Sequence, residues 1–130
     1  MPAVIIKQPG VRKTESSSNL SFIWELDKPF PISVWSWFQI YDDDAAKTLL
    51  LEFQWNYDGS EACKIYSSRA LWCVVDGPRI GFTLFSVNDS DAGRYTLHVE
   101  EDELSDPPEE TDSNAFLYII SKNICSWILI

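Results

Sequence analysis

The chain has 130 residues, with 10 Lys and Arg against 20 Asp and Glu, for a formal net charge of −10. One domain with a sizeable core fits that length. The acidic balance excludes nucleic acid, whose phosphates demand clustered Lys and Arg, and gives no attraction to anionic membrane surfaces.

Six Trp, seven Phe and five Tyr are many for a chain this short, and such flat, bulky side chains suit sheets better than helices. No internal repeat and no sustained helical periodicity occurs; alternating apolar runs separated by turn residues recur at sandwich-like intervals. Residues 3–8 read as an edge strand ended by Pro9-Gly10, and residues 11–18 as a polar, turn-rich stretch. Leu20, Phe22, Trp24 and Leu26 alternate with Ser21, Ile23 and Glu25, so residues 19–26 form a half-buried strand. A Pro-containing run at 28–31 breaks it, and residues 32–41 form the next strand. Strands at 48–55, 62–66 and 70–75 follow, the first two separated by Asn56-Tyr57-Asp58-Gly59, hairpin-like punctuation. Asp76-Gly77-Pro78 leads into a strand at 79–87. Residues 94–100 make another, 101–114 a long acidic loop with Pro107-Pro108, and 115–121 the last strand. Residues 122–130 are a linker or the start of a following segment; their apolar run is far shorter than the roughly 20 residues that span a bilayer.

The most specific stretch is Asp91-Ala92-Gly93-Arg94-Tyr95. Gly93 permits a backbone angle that a Cβ resists, and Asp91 can hold the turn with its carboxylate. Tyr95 buries its ring while its hydroxyl bonds back to upstream backbone. With Ile80, Phe82, Leu84 and Val87 before it and Leu97 and Val99 after it, the stretch resembles the Asp-x-Gly-x-Tyr corner of the immunoglobulin superfamily, variable-like or intermediate type, over residues 3–121. That resemblance implies an all-β fold, an immunoglobulin-like two-sheet Greek-key sandwich of the variable type. It also makes Trp37 the core Trp of strand C. The chain departs from the family at its inter-sheet disulfide: the usual Cys positions hold Phe22 or Trp24 on strand B and Leu97 on strand F. Such a cross-link is worth about 2–4 kcal/mol, and burial of Phe22, Trp24 and Trp37, at roughly 25 cal/mol per Å², offsets its loss. Cys63 and Cys73 fall on neighbouring segments, strands C″ and D, and are expected to pair across that edge; two separate buried thiols are the alternative. Cys125 is the odd cysteine. Residues 95–99 and the acids after them also have a cadherin look, but the Asp-x-Asn-Asp-Asn end motif is missing.

Chemistry is sparse. His98 is the sole histidine, predicted to face outward, and a Ser or Cys nucleophile needs a positioned base, so no enzyme and no cofactor are expected. Zinc needs four closely spaced N/S ligands, and the acidic runs lack the spaced loop of a calcium site, so no metal is expected either. Asn19-Leu20-Ser21 and Asn88-Asp89-Ser90 fit the N-glycosylation pattern. If Trp37 points into the core, Phe38 and Ile40 point out, beside Thr96 and His98 on strand F and one or two of Phe116, Tyr118 and Ile120 on strand G, Tyr118 foremost. Exposed aromatic and apolar residues gathered on one sheet face read as a contact surface. The alternative is that the 101–114 loop covers Phe38 and Ile40. Loops at 28–31, 56–61 and 101–114 are further recognition candidates.

The implied function is a cell-surface recognition or adhesion domain in the extracellular part of a single-pass membrane protein. Its partner is another protein, an identical domain on an opposing cell included, and the domain itself does not insert into a membrane. The missing disulfide looks more like an invertebrate allorecognition receptor than an antibody-type domain. A secreted or viral decoy that captures a host ligand is one alternative. An intracellular structural module of the muscle-filament kind is another.

Overall fold

The computed structural model describes residues 5–27, 37–43, 47–55, 61–101 and 109–120. The segment 122–130 with Cys125, all of the 28–31 loop, 56–60 of the 56–61 loop, and 102–108 of the acidic loop lie outside the described residues.

Among the described residues ten strands and one short 3₁₀ turn follow in chain order: β1 (Ile5–Lys7), β2 (Val11–Glu15), β3 (Leu20–Leu26), β4 (Trp37–Asp42), β5 (Thr48–Trp55), β6 (Glu61–Ile65), β7 (Leu71–Asp76), β8 (Arg79–Leu84), the turn Asp89–Asp91, β9 (Gly93–Glu101) and β10 (Glu109–Ile120). They form two sheets, a four-stranded one in the order β1-β3-β8-β7 and a six-stranded one in the order β2-β10-β9-β4-β5-β6. In the letters of the variable-type layout these are A-B-E-D and A′-G-F-C-C′-C″. Every pairing is antiparallel except that of β2 with β10.

Period-2 alternation builds the core between the layers. Leu20, Phe22, Trp24 and Leu26 from β3 and Ile80, Phe82 and Leu84 from β8 meet Tyr95, Leu97 and Val99 from β9, all buried. The rings of Phe22, Phe82 and Tyr95 pack together with centroids 5.2 to 5.5 Å apart, an arrangement that adds stabilisation beyond area burial. Where the family places its inter-sheet disulfide, this core holds hydrocarbon. Two other devices tie the sheets. Deep in the core the indole N–H of Trp24 donates to Ser113 Oγ on β10 at 2.9 Å. At the far edge Cys63 on β6 and Cys73 on β7 are joined by a disulfide between Cα atoms 6.6 Å apart.

Strand C has the opposite phase to the one read from the sequence. Phe38 and Ile40 are 0% exposed, so the expected outward placement is corrected. β4 lies directly beside β9, with Phe38 opposite Val99 and Ile40 opposite Leu97. Directly opposed residues share a face, so the inward phase that Tyr95 imposes on β9 carries over to Phe38 and Ile40. The backbone of Trp37 belongs to β4; its side chain lies outside the described residues.

Three boundaries also differ. The strand expected over 79–87 ends at Leu84. Residues 11–15, expected to be loop, form the edge strand β2. Its exposed side chains are Val11, Lys13 and Glu15, so apolar alternation is missing. The last strand begins at Glu109, not 115, and pairs with β9 up to Glu101. The inward residue of that added stretch is Ser113, a hydroxyl where a hydrophobic pattern needs hydrocarbon.

Candidate functional site

Register decides what the outer face of the six-stranded sheet presents. Gln39 on β4 is opposite His98 on β9 and Glu52 on β5, and His98 is opposite Asp112 on β10. One row therefore reads Asp112–His98–Gln39–Glu52. The next reads Asn114–Thr96–Tyr41. Both rows are hydrogen-bonded across strands. Tyr41 Oη donates to Gln39 Oε1 at 2.8 Å, and Gln39 Nε2 donates to Glu52 Oε2 at 3.0 Å. His98 Nδ1 lies 2.5 Å from Asp112 Oδ1 and Nε2 lies 3.8 Å from Glu100 Oε2. The Thr96 hydroxyl is within hydrogen-bond distance of Asp43 Oδ2 and Asn114 Oδ1. Burial, then the carboxylates of Glu52, Asp112 and Glu100, push the Tyr41 phenol above its ordinary pKa. The Lys47 ammonium sits 5.1 Å over its ring. This half of the face is a polar table of negative character.

The other half is apolar. Phe116, Tyr118 and Ile120 occupy the outward phase of β10, and Val11 on β2 is directly opposite Phe116. All four are exposed, Tyr118 to 55%. Beside them an open hollow of about 450 Å³ is lined by Ala92, Gly93, Arg94, Phe116 and Tyr118. Gly93, one of its lining residues, has a φ of +142°, a backbone angle that suits glycine. Arg94 Nη2 and Asp43 Oδ2, 3.1 Å apart, form a charged rim.

Of the five residues expected on the binding face, the structure brings together Thr96, His98 and Tyr118. Thr96 has the outward phase but is capped by its neighbours and nearly inaccessible; His98 is half-buried. Phe38 and Ile40 belong to the core. Of the strand G candidates, Phe116, Tyr118 and Ile120 are all exposed, as their shared phase after the inward Ala115 requires; Val11 went unassigned.

Beneath the face, the turn motif is locked from several directions. Asp91 Oδ2 accepts the Asn88 N–H at 2.9 Å, and Asn88 Oδ1 accepts the Ser90 N–H at 2.9 Å, a capping box on the 3₁₀ turn. Gly93 starts β9, and Tyr95 Oη donates back to the Asp91 carbonyl at 2.5 Å. The Arg69 guanidinium donates to Tyr95 Oη at 3.2 Å, bonds Asp42 and lies 3.9 Å from Asp91. Burial opposes the Arg69 charge, but the Asp42 hydrogen bond, the Tyr95 oxygen and the two carboxylates outweigh it and hold its pKa above the ordinary value. Burial pushes the Tyr95 phenol up, assisted by Asp42 and Asp91 and opposed by Arg69. No described group of three or more His, Cys, Asp or Glu could hold a metal ion. No described helix is long and apolar enough to cross a membrane.

The strand order, the tyrosine corner and the two-sheet core decide the architecture. The fold is an immunoglobulin-like sandwich of the variable type. Solved structures agree. A chain from the structure of T cell specificity and activation by the bacterial superantigen toxic shock syndrome toxin-1 matches with a TM-score of 0.66 at 12% identity, over 92% of this chain and 100% of that one. Murine CRIg matches with a TM-score of 0.62 at 10% identity, over 94% and 99%. A marsupial T cell receptor matches with a TM-score of 0.68 at 11% identity, over 93% of this chain and 55% of that one. No protein-family model matches the chain, and no curated protein gives a significant sequence match. At such identities the likeness is one of immunoglobulin fold, and function is argued from the site.

Proposed function

We propose that this chain is a recognition domain of a cell-surface protein, which docks another protein through the outer face of its six-stranded sheet. An identical domain on an opposing cell is one such partner. The observation that carries the reading is the exposed run Phe116, Tyr118 and Ile120 with Val11 beside it, next to an open hollow. Large side chains of this kind anchor protein interfaces, and the adjoining polar rows supply the hydrogen-bonding rim such interfaces carry. The Cys63–Cys73 bond fits an oxidising, extracellular compartment and weighs against an intracellular structural module. The receptor neighbours lend support by analogy of fold.

Beads coated with the intact chain test the reading. Wild-type beads are expected to cluster, and beads bearing Tyr118→Asp with Phe116→Asp are expected to stay dispersed. Dispersed wild-type beads would remove the identical-domain partner. A different protein that binds wild type and the double variant equally well would move the contact off this face.

A further inference from the structure

The outer face of the four-stranded sheet carries aromatic surface that protein recognition on the other face leaves unused. Trp72 on β7 is 65% exposed and Phe85, just past β8, is 43% exposed. Both have the outward phase, since Leu71 and Leu84 beside them point in. Thr83 pairs with Trp72 on one side and Ser21 on the other, and the Ser21 and Thr83 hydroxyls are 2.7 Å apart. Asn19 stands at the head of β3 on this same face, two residues before Ser21 and one before the inward Leu20. Extending the Leu20–Leu84 register by one residue puts Asn19 beside Phe85. Its Oδ1 accepts the Ser86 N–H at 3.0 Å, which fixes the carboxamide there and leaves Nδ2 on the solvent side. With strands about 4.8 Å apart and a rise of about 3.4 Å per residue, Phe85 lies about 5 Å and Trp72 about 12 Å from Asn19.

Asn19-Leu20-Ser21 is an acceptor sequence for N-linked sugar. We propose that Asn19 is N-glycosylated and that the innermost sugars lie across Phe85 and Trp72. In the transfer, Asn19 Nδ2 forms a C–N bond to the anomeric carbon of a diphosphate-lipid-activated oligosaccharide. The C–O bond to the diphosphate breaks, the lipid diphosphate leaves with the electron pair, Nδ2 gives up one proton, and nothing is oxidised or reduced. Transfer to the nascent chain precedes the Ser21–Thr83 hydrogen bond, so the folded pairing of Ser21 is no obstacle. The C–H faces of a pyranose meet the electron-rich faces of the two rings, and apolar surface otherwise left in water is covered. Asn88, in the other acceptor sequence, caps the acidic turn through its side-chain oxygen, so a change there costs stability with or without a sugar.

The inference rests on passage through the secretory pathway, part of the proposed function. The test uses the whole chain secreted from eukaryotic cells with the Cys63–Cys73 bond intact. Glycopeptide mass spectrometry is expected to find Asn19 occupied. Asn19→Gln is expected to lower Tm by a few degrees, and that difference to shrink to at most half in a Trp72→Ser, Phe85→Ser background. The acetyl-methyl resonance of the innermost sugar is expected upfield in wild type and at its free-sugar position in the double variant. An unmodified Asn19 on the secreted chain, or an acetyl resonance unmoved by the double variant, overturns the inference and leaves recognition by the opposite face standing. A chain that never reaches the medium overturns both.

Discussion

Trp24 on β3 and Ser113 on β10 meet across the two sheets through one buried hydrogen bond, 2.9 Å long, from the indole N–H to the hydroxyl. An apolar core ties its layers by packing alone; this contact adds a directional link that fixes how one sheet sits on the other. Ser113→Ala leaves the indole N–H buried without that partner. The expected loss is about 1–3 kcal/mol, read as a lower urea midpoint at unchanged m-value. In a Trp24→Phe background the same substitution is expected to cost markedly less, because the donor has gone.

The Cys63–Cys73 bridge spans a sequence separation of 10 residues and closes the edge where β6 and β7 belong to opposite sheets. Loop-closure entropy for a ring of that size gives about 2–3 kcal/mol. Cys63→Ser with Cys73→Ser is expected to lose about that much in chemical denaturation. Non-reducing peptide mapping of wild type is expected to recover the two cysteines in one linked fragment.

Much of this fold was legible because one anchor set the phase. From Tyr95 the alternation through Leu97 and Val99, and through Ile80, Phe82 and Leu84, follows directly, and the inward residues of β3 repeat it. The phase of β4 was not legible from β4 alone. Trp37, Phe38 and Ile40 offer apolar residues in both phases, and only the pairing with β9 selects Phe38 and Ile40 for the core. The extension of β10 down to Glu109 hid behind Ser113, whose hydroxyl answers to Trp24. Arg69 was missed because it lies between strands, where no periodicity marks it, although it touches both Asp42 and the tyrosine corner.

The Tyr95 phenol titrates above its ordinary value, chiefly because burial disfavours the phenolate. A raised folded-state pKa means that the native state keeps its proton after the unfolded chain has lost it, so stability falls as pH rises. The contribution is complete below about pH 10, the ordinary tyrosine value, and is lost progressively above it. Urea midpoints are expected to drop steeply on the alkaline side of that value, and Tyr95→Phe is expected to flatten that drop while lowering stability at neutral pH. Tyr41 shifts in the same direction, so Tyr41→Phe is expected to flatten the limb as well.

Gly81 sits in the centre of the four-stranded sheet, between Ile23 and Val74. A Cβ built there falls 1.8 Å from the Phe22 carbonyl oxygen and 2.9 Å from its carbon. Backbone cannot yield as a flexible side chain does, so Gly81→Ala must separate β3 from β8. Overpacking of this kind costs about 1–3 kcal/mol, and the core Phe22–Phe82 contact sits at the point of separation. A loss of Tm with weakened near-ultraviolet circular dichroism from the aromatic core is expected.

Substitutions on β4 and β10 separate folding from recognition. Phe38→Asp or Ile40→Asp places a carboxylate where the native side chain is 0% exposed, and an unpaired buried charge is prohibitively costly. Either variant is expected to unfold the domain, so a lost interaction there reports on the core. Tyr118 and Phe116 reach solvent from the outward phase of β10. Tyr118→Asp and Phe116→Asp are expected to keep the wild-type circular dichroism spectrum and melting curve to within about 0.5 kcal/mol, as surface changes do. Each is expected to weaken partner binding by about 2 kcal/mol or more, the scale of an interface anchor. Folded variants that bind as wild type would place the energetic centre of the contact elsewhere on the domain.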